Sequence, residues 1–489
     1  MRNHRRSWLA IAGTIVVYIL IFWAMLPGFL LSVGFRMDKL VPLRLSTAAA
    51  FSYVGWAGVA FGLGFILLSM GQLWVKGKGL PISHLPPSQF VSTGIYRYFR
   101  HPLYVGYTAA FAGLSLLLRS SWSLAFSTPL LVFGWLGYSL FYEEPILLAR
   151  FGDAYRDYKK KTPFLLPKMI GRWLQKAFRP VLELACRWVN RIADWTVFFR
   201  RGPVILVSYG IFIALGSFIS MLHASSLFLL QGIEKKHVAV FLAGTVLLTF
   251  LFAHLFWWVG HWKDWRRRPV VGFRLVGFVS YGALFGIALA CLAFARGFGY
   301  PLLLISDVAV RGLYIAYAIG RIGCLTYGCC WGKASLSYGI LYRNPEAKVV
   351  RMSGGPSPML HPAPLYSAIE GLVLFIILNS LCYFPLPPGF LTVFGLLLYP
   401  MGRAFIEPYR ERRFYLSSAL NEGHIGCALM FLAGVIMLFL ISPGMGPSSP
   451  RPLNLEGFIQ GLSLIPVILA VSALVFFMTG FHWRKVGTW

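Results

Sequence analysis

The residues best suited to chemistry lie at the end of a long apolar run. Residues 320–333 read Gly-Arg-Ile-Gly-Cys-Leu-Thr-Tyr-Gly-Cys-Cys-Trp-Gly-Lys and combine a fixed cation, four glycines and three thiols. A guanidinium group at the edge of hydrocarbon is unfavourable unless an anion or a hydrogen-bonding group receives it. We therefore expect Arg321 to bind the phosphate of a membrane lipid. The alternative is that its side chain extends to the membrane interface and serves only as a positional anchor.

A polar stripe follows at helical spacing further along the chain. It consists of Tyr399, Arg403, Glu407 and Arg410. Residues three and four apart share a helix face, and a face this polar is rarely directed at lipid. We expect Arg321 and Arg403 to clamp a phosphodiester while Glu407 orients one of them, and Tyr209 and Tyr399 to donate hydrogen bonds to lipid oxygens. The alternative is that Arg403 and Glu407 form an ion pair that only packs helices.

Three cysteines beside the first arginine leave several interpretations open. Cys324, Cys329 and Cys330 could relay an acceptor thiol, bind a metal, or act as inert small residues. The absence of a Cys-x-x-Cys pair disfavours a metal site. Buried cysteine as a small apolar residue is the commonest case. The spacing thus predicts inert cysteines and no bound metal.

A second set of charged residues flanks two apolar segments in the first half. Residues 97–104 read Arg-Tyr-Phe-Arg-His-Pro-Leu-Tyr, and Glu143-Glu144 follow about forty positions later. Because two consecutive spans return the chain to its own side, Arg-His and Glu-Glu are expected to meet at one membrane face. Carboxylates there could hold the cationic end of a zwitterionic ligand, and arginine its carboxylate. The alternative is that the two glutamates only cap the next helix.

The composition identifies a polytopic membrane protein. Of the 489 residues, 57% are hydrophobic and only 12% are charged, which no soluble protein of this length matches. The net charge of +29 arises from 45 basic and 16 acidic residues. Since no nucleic-acid-binding module is visible, basic loops that face anionic lipid explain the charge better than nucleic acid does. The first apolar run, from about Ser7 to Val33, is too long for a signal peptide and predicts a membrane helix.

The predicted fold is an all-α polytopic transmembrane protein with about twelve spans in two modules. The predicted spans are 8–33, 46–74, 103–118, 122–142, 203–231, 238–260, 273–296, 301–320, 364–384, 389–407, 420–442 and 456–480. A membrane domain covers residues 1–167 and a second covers 202–489, with a small head at 321–363. Between them, residues 168–201 carry apolar side chains at helical spacing with Arg and Lys on the opposite face. This pattern predicts a basic amphipathic helix that lies on the membrane as a linker.

Residues 50–167 resemble the isoprenylcysteine carboxyl methyltransferase and phospholipid methyltransferase superfamily. The resemblance rests on Arg-His-Pro-x-Tyr, then Glu-Glu, then Phe-Gly-x-x-Tyr-x-x-Tyr. It implies a site for S-adenosylmethionine. The residues implied in cofactor binding are Arg97, Arg100, His101, Tyr104, Glu143 and Glu144.

Residues 203–442 resemble prolipoprotein diacylglyceryl transferase. The Gly-Arg-x-Gly, His-Pro-x-x-Leu-Tyr and Tyr-x-x-x-Arg-x-x-x-Glu motifs occur in that family's order. The family moves the diacylglyceryl group of phosphatidylglycerol to a cysteine thiol of a lipoprotein precursor and releases glycerol phosphate. The matching residues are Tyr209, Asp307, Arg321, Gly332, Tyr399, Arg403 and Glu407.

The chain departs from this second family at polar positions. Cys324 and Cys329 replace Asn and Glu within the Gly-Arg motif, and Tyr281 replaces a His before paired glycines. His361 is therefore the candidate base for the acceptor thiol by motif, although a helix-entry residue is the alternative. The residues expected to bind substrate are Gly320, Gly323, Tyr281, Gly332, Asp307 and Arg410.

The predicted function is a membrane transferase that moves a diacylglyceryl group from an anionic phospholipid to a thiol or other acceptor, fused to a methyltransferase-like domain. One alternative is a lipid or isoprenoid-type methyltransferase whose second half only binds lipid. Another is a non-enzymatic lipid-binding scaffold. The expected partners are a membrane phospholipid and a lipid or lipoprotein acceptor, with no nucleic acid. We expect a multi-pass protein of the inner (cytoplasmic) membrane. The positive-inside rule places the head in the cytoplasm, whereas the resemblance places it on the outer face.

Overall fold

Long apolar helices form most of both halves of the chain, as the composition predicts. The computed structural model describes residues 20–43, 49–79, 87–163, 183–260, 279–335, 338–411, 422–442 and 451–486, with isolated positions 13, 16, 17 and 180. The chain divides into a first unit, Met1–Val181, and a second unit, Leu182–Trp489. Each unit has its own core and its own cluster of polar side chains.

The described part of the first unit contains five long helices. They are α1 (Leu20–Leu40), α2 (Ala49–Gly77), α3 (Pro102–Leu117), α4 (Ser123–Tyr138) and α5 (Glu144–Lys161). Proline lies in the first turn of α3 and of α5, where its missing N–H leaves no helical hydrogen bond unmade. A π turn at Ser139–Glu143 joins α4 to α5. The hairpin of α3 and α4 therefore delivers His101 and the two glutamates to the same end of the unit.

Glycines let α2 and α3 pack with their backbones in contact. A side-chain Cβ added at Gly62 would lie 2.4 Å from the backbone nitrogen of Ala110. One added at Gly106 would lie 2.7 Å from the carbonyl oxygen of Gly62. Small residues at membrane helix contacts permit this close approach, which increases van der Waals packing.

The described part of the second unit contains a helix at residues 183–193, ten further helices and three strands. The ten further helices are α6 (Ser208–Leu230), α7 (Lys235–Gly260), α8 (Ser280–Phe298), α9 (Leu302–Tyr327), α10 (Lys348–Ser353), α11 (Ala363–Leu381), α12 (Phe390–Ile406), α13 (Glu422–Leu440), α14 (Leu455–Leu462) and α15 (Ile465–Gly480). The strands are β1 (Val197–Arg201), β2 (Val204–Val207) and β3 (Phe481–Trp483). They pair antiparallel in the order β1-β2-β3, so the described C-terminal end of the unit returns to its beginning.

The predicted all-α polytopic class is confirmed. Among the described residues, nine helices are long and apolar enough to span a membrane, and the pair α14 and α15, bent by 68°, would make a tenth. The predicted count of about twelve is higher because it includes α3 and α4. These two helices are apolar but shorter; α3 has 16 residues, against the roughly 20 that a bilayer core requires.

The predicted linker helix is wrong at its C-terminal end. Residues 183–193 are helical, but Val197–Arg201 form β1, while most of residues 164–182 lie outside the described part of the chain. Bulky β-prone residues precede Gly202, whose φ of +57° makes the turn into β2. The buried face of the described helix, Val189 and Ala193, packs on the head rather than facing lipid.

The head begins later than predicted. Helix α9 continues through Arg321 and ends at Tyr327, where Gly328 has a φ of +68° and stops the helix. The head then packs back on this helix end, since the Tyr342 hydroxyl donates to the Leu325 carbonyl at 3.0 Å. Arg321 therefore lies within a helix of the membrane domain, not in the head.

The α2–α3 contact gives a test of the fold. We expect Gly62→Val to lower the unfolding temperature, because the added side chain would force the two backbones apart at a cost of about 1–3 kcal/mol. Gly64→Val is the matched control, since no atom lies within 4 Å of a Cβ added at Gly64. Thermal unfolding of the detergent-solubilised chain measures both variants, and equal effects would contradict the packing.

Candidate active site

A buried carboxylate ties the start of α12 to α9. Asp307, on α9, is fully buried and accepts hydrogen bonds from the Gly389 N–H at 2.7 Å, the Thr392 N–H at 2.8 Å and the Thr392 hydroxyl at 2.7 Å. The first N–H groups of a helix have no partner within the helix, and a carboxylate satisfies them well. The Asp307 oxygens thus bind the N-terminus of α12. That Asp307 binds substrate, as the resemblance implies, stays a prediction.

This contact sets the register of two parallel helices. Arg321 follows Asp307 by fourteen residues, and Arg403 follows Gly389 by fourteen. At 1.5 Å per residue, both arginines lie about 21 Å beyond the anchored ends. Between these levels, the Tyr314 hydroxyl donates to the Gly395 carbonyl at 2.9 Å. The backbones of the two arginines therefore lie at about the same level along the two helices.

Arg403 has only part of its hydrogen-bonding capacity satisfied. Its Nη2 lies 3.0 Å from a carboxylate oxygen of Glu407, and both side chains are almost fully buried. The ion pair between Arg403 and Glu407, which the sequence offered as a purely structural alternative, is therefore present. However, Nη1 of Arg403 is buried with no hydrogen-bond partner among the described residues. A buried donor left unmatched is costly, so this nitrogen marks a place for an acceptor from a ligand.

Arg321 lies beside aromatic rings and a thiol. Its guanidinium carbon is 4.7 Å from the centre of the Tyr317 ring, and its Nη1 is 3.7 Å from the Cys330 sulfur. It interacts electrostatically with Arg403 and with Tyr399. The rings of Tyr317 and Tyr399 meet edge-on at 5.6 Å. Both arginines thus interact with the same pair of tyrosine rings.

Sequence reasoning missed Tyr317 and Glu370 as site residues. The Tyr317 hydroxyl donates to a Glu370 oxygen at 3.4 Å, and Glu370 interacts electrostatically with both arginines. The other Glu370 oxygen is buried without a partner in the described part of the chain. An isolated acidic residue within an apolar span is the sequence feature that could have identified Glu370 as a site residue.

Tyr209 lies near the C-terminal end of α9 because its neighbour Ser208 is hydrogen-bonded to that end. The Ser208 hydroxyl donates to the Thr326 hydroxyl at 2.8 Å, which fixes the start of α6 against the last turn of α9. Tyr209 interacts electrostatically with Arg321 and with the three nearby cysteines. The expected hydrogen bond from Tyr209 to a lipid oxygen stays a prediction.

Three other predicted substrate-binding residues pack between helices. A Cβ at Gly320 would contact Ile213, and one at Gly323 would lie 3.0 Å from the Tyr209 carbonyl oxygen. Both glycines therefore permit close packing of α6 against α9. The Tyr281 hydroxyl donates to the Gly423 carbonyl at 3.3 Å, on α13. Their roles in substrate binding stay predictions.

Arg410 does not continue the α12 face, contrary to the expected single stripe. Helix α12 ends at Ile406 and a 3₁₀ turn covers Glu407–Tyr409, because Pro408 interrupts the helical hydrogen bonds. Arg410 is extended and forms a β-bridge with Gly332. Its Nε is buried without a partner among the described residues.

His361 lies in the head against Gly332. A Cβ at Gly332 would lie 2.3 Å from the His361 carbonyl oxygen, so glycine permits this approach. His361 Nδ1 is 3.3 Å from the Tyr366 hydroxyl. Burial lowers the pKa of His361 and favours the neutral imidazole, which is the form that accepts a proton.

The predicted cluster in the first unit is assembled at one end of the α3–α4 hairpin. His101 bridges the two acids, with Nδ1 3.2 Å from Glu143 and Nε2 3.5 Å from Glu144. Glu144 also contacts Arg100 and, at 2.6 Å, Lys159. Five charged or titratable groups thus share one site.

The two glutamates of this cluster differ in exposure and partners. The Glu143 side chain is 28% exposed and accepts a hydrogen bond from the Tyr104 hydroxyl at 2.8 Å, whereas Glu144 is 3% exposed. Burial disfavours the charge on Glu144, but hydrogen bonds from His101 and Lys159 and the charge of Arg100 lower its pKa to about 2. Burial also opposes the charge on His101, but hydrogen bonds to both glutamates raise its pKa. Glu144 is therefore held by the protein, and Glu143 is the acid available to a ligand.

Arg97 faces a different space from the rest of the predicted cofactor set. It lines a cavity of about 760 Å³ with Phe90, Tyr158 and Lys161 among its neighbours. The other five predicted residues do not line this cavity. Arg97 is the last residue of the 3₁₀ turn Gly94–Arg97, and Arg100 follows this turn.

Comparison with known proteins separates the same two regions. A family model for prolipoprotein diacylglyceryl transferase matches residues 196–440, and one for phospholipid methyltransferase matches residues 51–154. Phosphatidylglycerol–prolipoprotein diacylglyceryl transferase 2 of Clostridium perfringens is 30% identical over 48% of this chain and 91% of its own length. The corresponding protein of Oleidesulfovibrio alaskensis is 30% identical over 50% and 91%, and that of Halalkalibacterium halodurans is 25% identical over 53% and 90%.

Proposed function

The chain belongs to the prolipoprotein diacylglyceryl transferase family, and we propose that its second unit moves the diacylglyceryl group of phosphatidylglycerol, or a related anionic phospholipid, to a thiol. Family membership identifies a multi-pass membrane transferase. The observation that carries the proposed substrate is the buried, unmatched Nη1 of Arg403 beside a second guanidinium. A lipid phosphodiester supplies the acceptor oxygen that Nη1 of Arg403 lacks among the described residues.

The charges around the two arginines favour an anion. Glu407 contacts Arg403 directly, whereas Glu370 interacts electrostatically with both arginines but forms no ion pair with either of them among the described residues. Guanidinium groups bind phosphate oxygens in a fixed, often bidentate geometry. Burial excludes water, which strengthens these contacts relative to those in solution. The phosphate is therefore held by both arginines at once.

The same contacts favour the transfer step. A thiolate attacks the glyceryl CH₂ carbon, a C–S bond forms, and the C–O bond to phosphate breaks with its electrons going to the leaving phosphate. Positive groups already aimed at the oxygen that gains charge stabilise the transition state more than the ground state. Neutral His361 is the proposed proton acceptor for the thiol, and Tyr209 and Tyr399 donate to lipid oxygens. The proposed acceptor is a cysteine of a lipoprotein precursor, as the names of the relatives indicate.

The first unit is proposed to bind S-adenosylmethionine. The match to a phospholipid methyltransferase model and the assembled cluster support this. We propose that Glu143 binds the cationic sulfonium, while Arg100 and Lys159 hold Glu144 in position. We also propose the inner (cytoplasmic) membrane as the location, with the transfer site at one face of it.

Arginine variants test the transferase. In liposomes that contain phosphatidylglycerol and a cysteine peptide, we expect Arg321→Gln and Arg403→Gln each to lower the transfer rate about 100-fold or more, because each removes stabilisation of the leaving phosphate. Mass spectrometry of the peptide measures the product. Arg296→Gln, an exposed arginine at the end of α8, is the matched control and should retain the parent rate.

A parent protein without transfer activity would contradict this function. Variants that lose methylation while transfer is absent throughout would favour a methyltransferase whose second unit only binds lipid. A parent with neither activity would favour a lipid-binding scaffold.

Cofactor titration tests the first unit. We expect Glu143→Gln to weaken S-adenosylmethionine binding about tenfold, since a neutral amide loses the attraction to the sulfonium. Calorimetric titration of the full chain in detergent gives the affinity. Asp153→Asn is the control because Asp153 is 85% exposed and contacts only Arg156 among the described ion pairs. Equal affinity of the parent and the Glu143 variant would count against this site.

A further inference from the structure

Three cysteines converge where α9 ends. The sulfur atoms of Cys324, Cys329 and Cys330 all lie within 4.8 Å of one another. Two left-handed residues, Gly328 with a φ of +68° and Cys330 with a φ of +56°, turn the chain back toward the last turn of α9. The Cys329 N–H then donates to the Cys324 carbonyl at 3.1 Å. The helix end, rather than the sequence spacing, brings the thiols together.

The backbone at Cys330 favours glycine, yet the chain carries a thiol there. A left-handed conformation brings Cβ close to the following carbonyl oxygen, so residues other than glycine rarely adopt it. Such outliers concentrate at functional sites, where the surrounding structure maintains them. The sulfur of Cys330 also contacts Arg321, the residue placed at the lipid phosphate. Inert cysteines, which the spacing alone predicts, do not account for this arrangement.

We propose that Cys324, Cys329 and Cys330 bind a soft divalent cation, Zn²⁺ in the first instance, and that its fourth coordination position takes the acceptor thiol. Sulfur ligands at about 2.3 Å from zinc lie about 3.8 Å from each other in a tetrahedron. A cluster already within 4.8 Å reaches that spacing by small side-chain rotations. Three thiolates select a soft metal over magnesium or calcium. The role of the fourth position rests on the proposed transferase function.

The local charge and exposure fit such a site. Three thiolates and one dication leave a single negative charge, and Arg321 lies 3.7 Å from the Cys330 sulfur to balance it. Cys324 is buried, whereas Cys329 and Cys330 are partly exposed. The α9 side of the metal would thus be shielded from solvent, and its other side would be accessible to a ligand. Three protein ligands with one open position are typical of catalytic zinc.

The metal would supply the thiolate that the reaction needs. A thiol that coordinates zinc loses its proton to solvent or to a nearby base such as His361. Its sulfur then attacks the glyceryl carbon and forms the C–S bond, while the C–O bond breaks and the phosphate leaves with the electron pair. The thioether product carries no charge and is a weaker ligand, so it leaves the metal for the next thiol.

Metal content tests the site without an activity assay. We expect the purified full chain in detergent to hold about one zinc per chain by elemental mass spectrometry, and each of Cys324→Ser, Cys329→Ser and Cys330→Ser to lose most of it. Cys382→Ser is the matched control, because it is buried elsewhere and its hydrogen bond to the Leu378 carbonyl can be kept by serine. Cys330→Gly removes the thiol and relieves the left-handed strain, so it should lose zinc while unfolding at or above the temperature of the parent stripped of metal by a chelator. A parent without stoichiometric metal, zinc retained in all the cysteine variants, or a disulfide among the three would overturn the proposal.

Cobalt substitution tests the open position. We expect the Co²⁺-loaded parent to show thiolate-to-cobalt charge-transfer absorption that changes when a short cysteine peptide is added and not when its serine counterpart is added. An unchanged spectrum with the cysteine peptide would overturn the role of the fourth position. The metal site and the transferase function are tested separately. Transfer that depends on the arginines in a protein without bound metal would overturn only the metal site. Bound metal in a protein without transfer activity would overturn only the transferase function.

Discussion

A single buried carboxylate, Asp307, determines how the second unit is assembled. An acid at this depth is unfavourable unless hydrogen-bond donors surround it, and the first turn of α12 supplies three. The α12 N-terminus in turn needs an acceptor for its unmatched N–H groups. Because each group satisfies the other, α12 cannot slide along α9 without exposing both. The equal distances from this contact to Arg321 and Arg403 then bring the two cations together.

The remaining contacts of the site extend this register. Tyr314, Tyr317 and Tyr399 fill the space between the two helices above the anchored end. The link between Ser208 and Thr326 adds Tyr209 at the level of Arg321. Gly332 packs against His361 within the head and forms a β-bridge with Arg410, just after the α12 segment. These contacts thus surround two guanidinium groups, and Nη1 of Arg403 is buried there without a hydrogen-bond partner among the described residues.

The sequence predicted the parts of this site that depend on residue type, and missed those that depend on three-dimensional folding. Arginines in apolar runs and the motifs around them pointed to Arg321 and Arg403 directly. Pro408 marked the end of α12, but the even spacing of four polar residues suggested an uninterrupted helix. Glu370 has no motif partner within its own span, since its neighbours come from α9 and α12. The small sheet could not be predicted, because β3 lies almost 280 residues after β2 in the chain.

Arg321 and Arg403 are proposed to bind one phosphate together, and a double-mutant cycle measures this directly. Binding of a non-hydrolysable phosphatidylglycerol analogue is measured for the parent, Arg321→Gln, Arg403→Gln and the double variant. We predict a coupling free energy of about 1 kcal/mol or more, because the second substitution removes a contact that the first has already weakened. Effects that add within about 0.3–0.5 kcal/mol would show that the two arginines act on separate groups and would contradict the account.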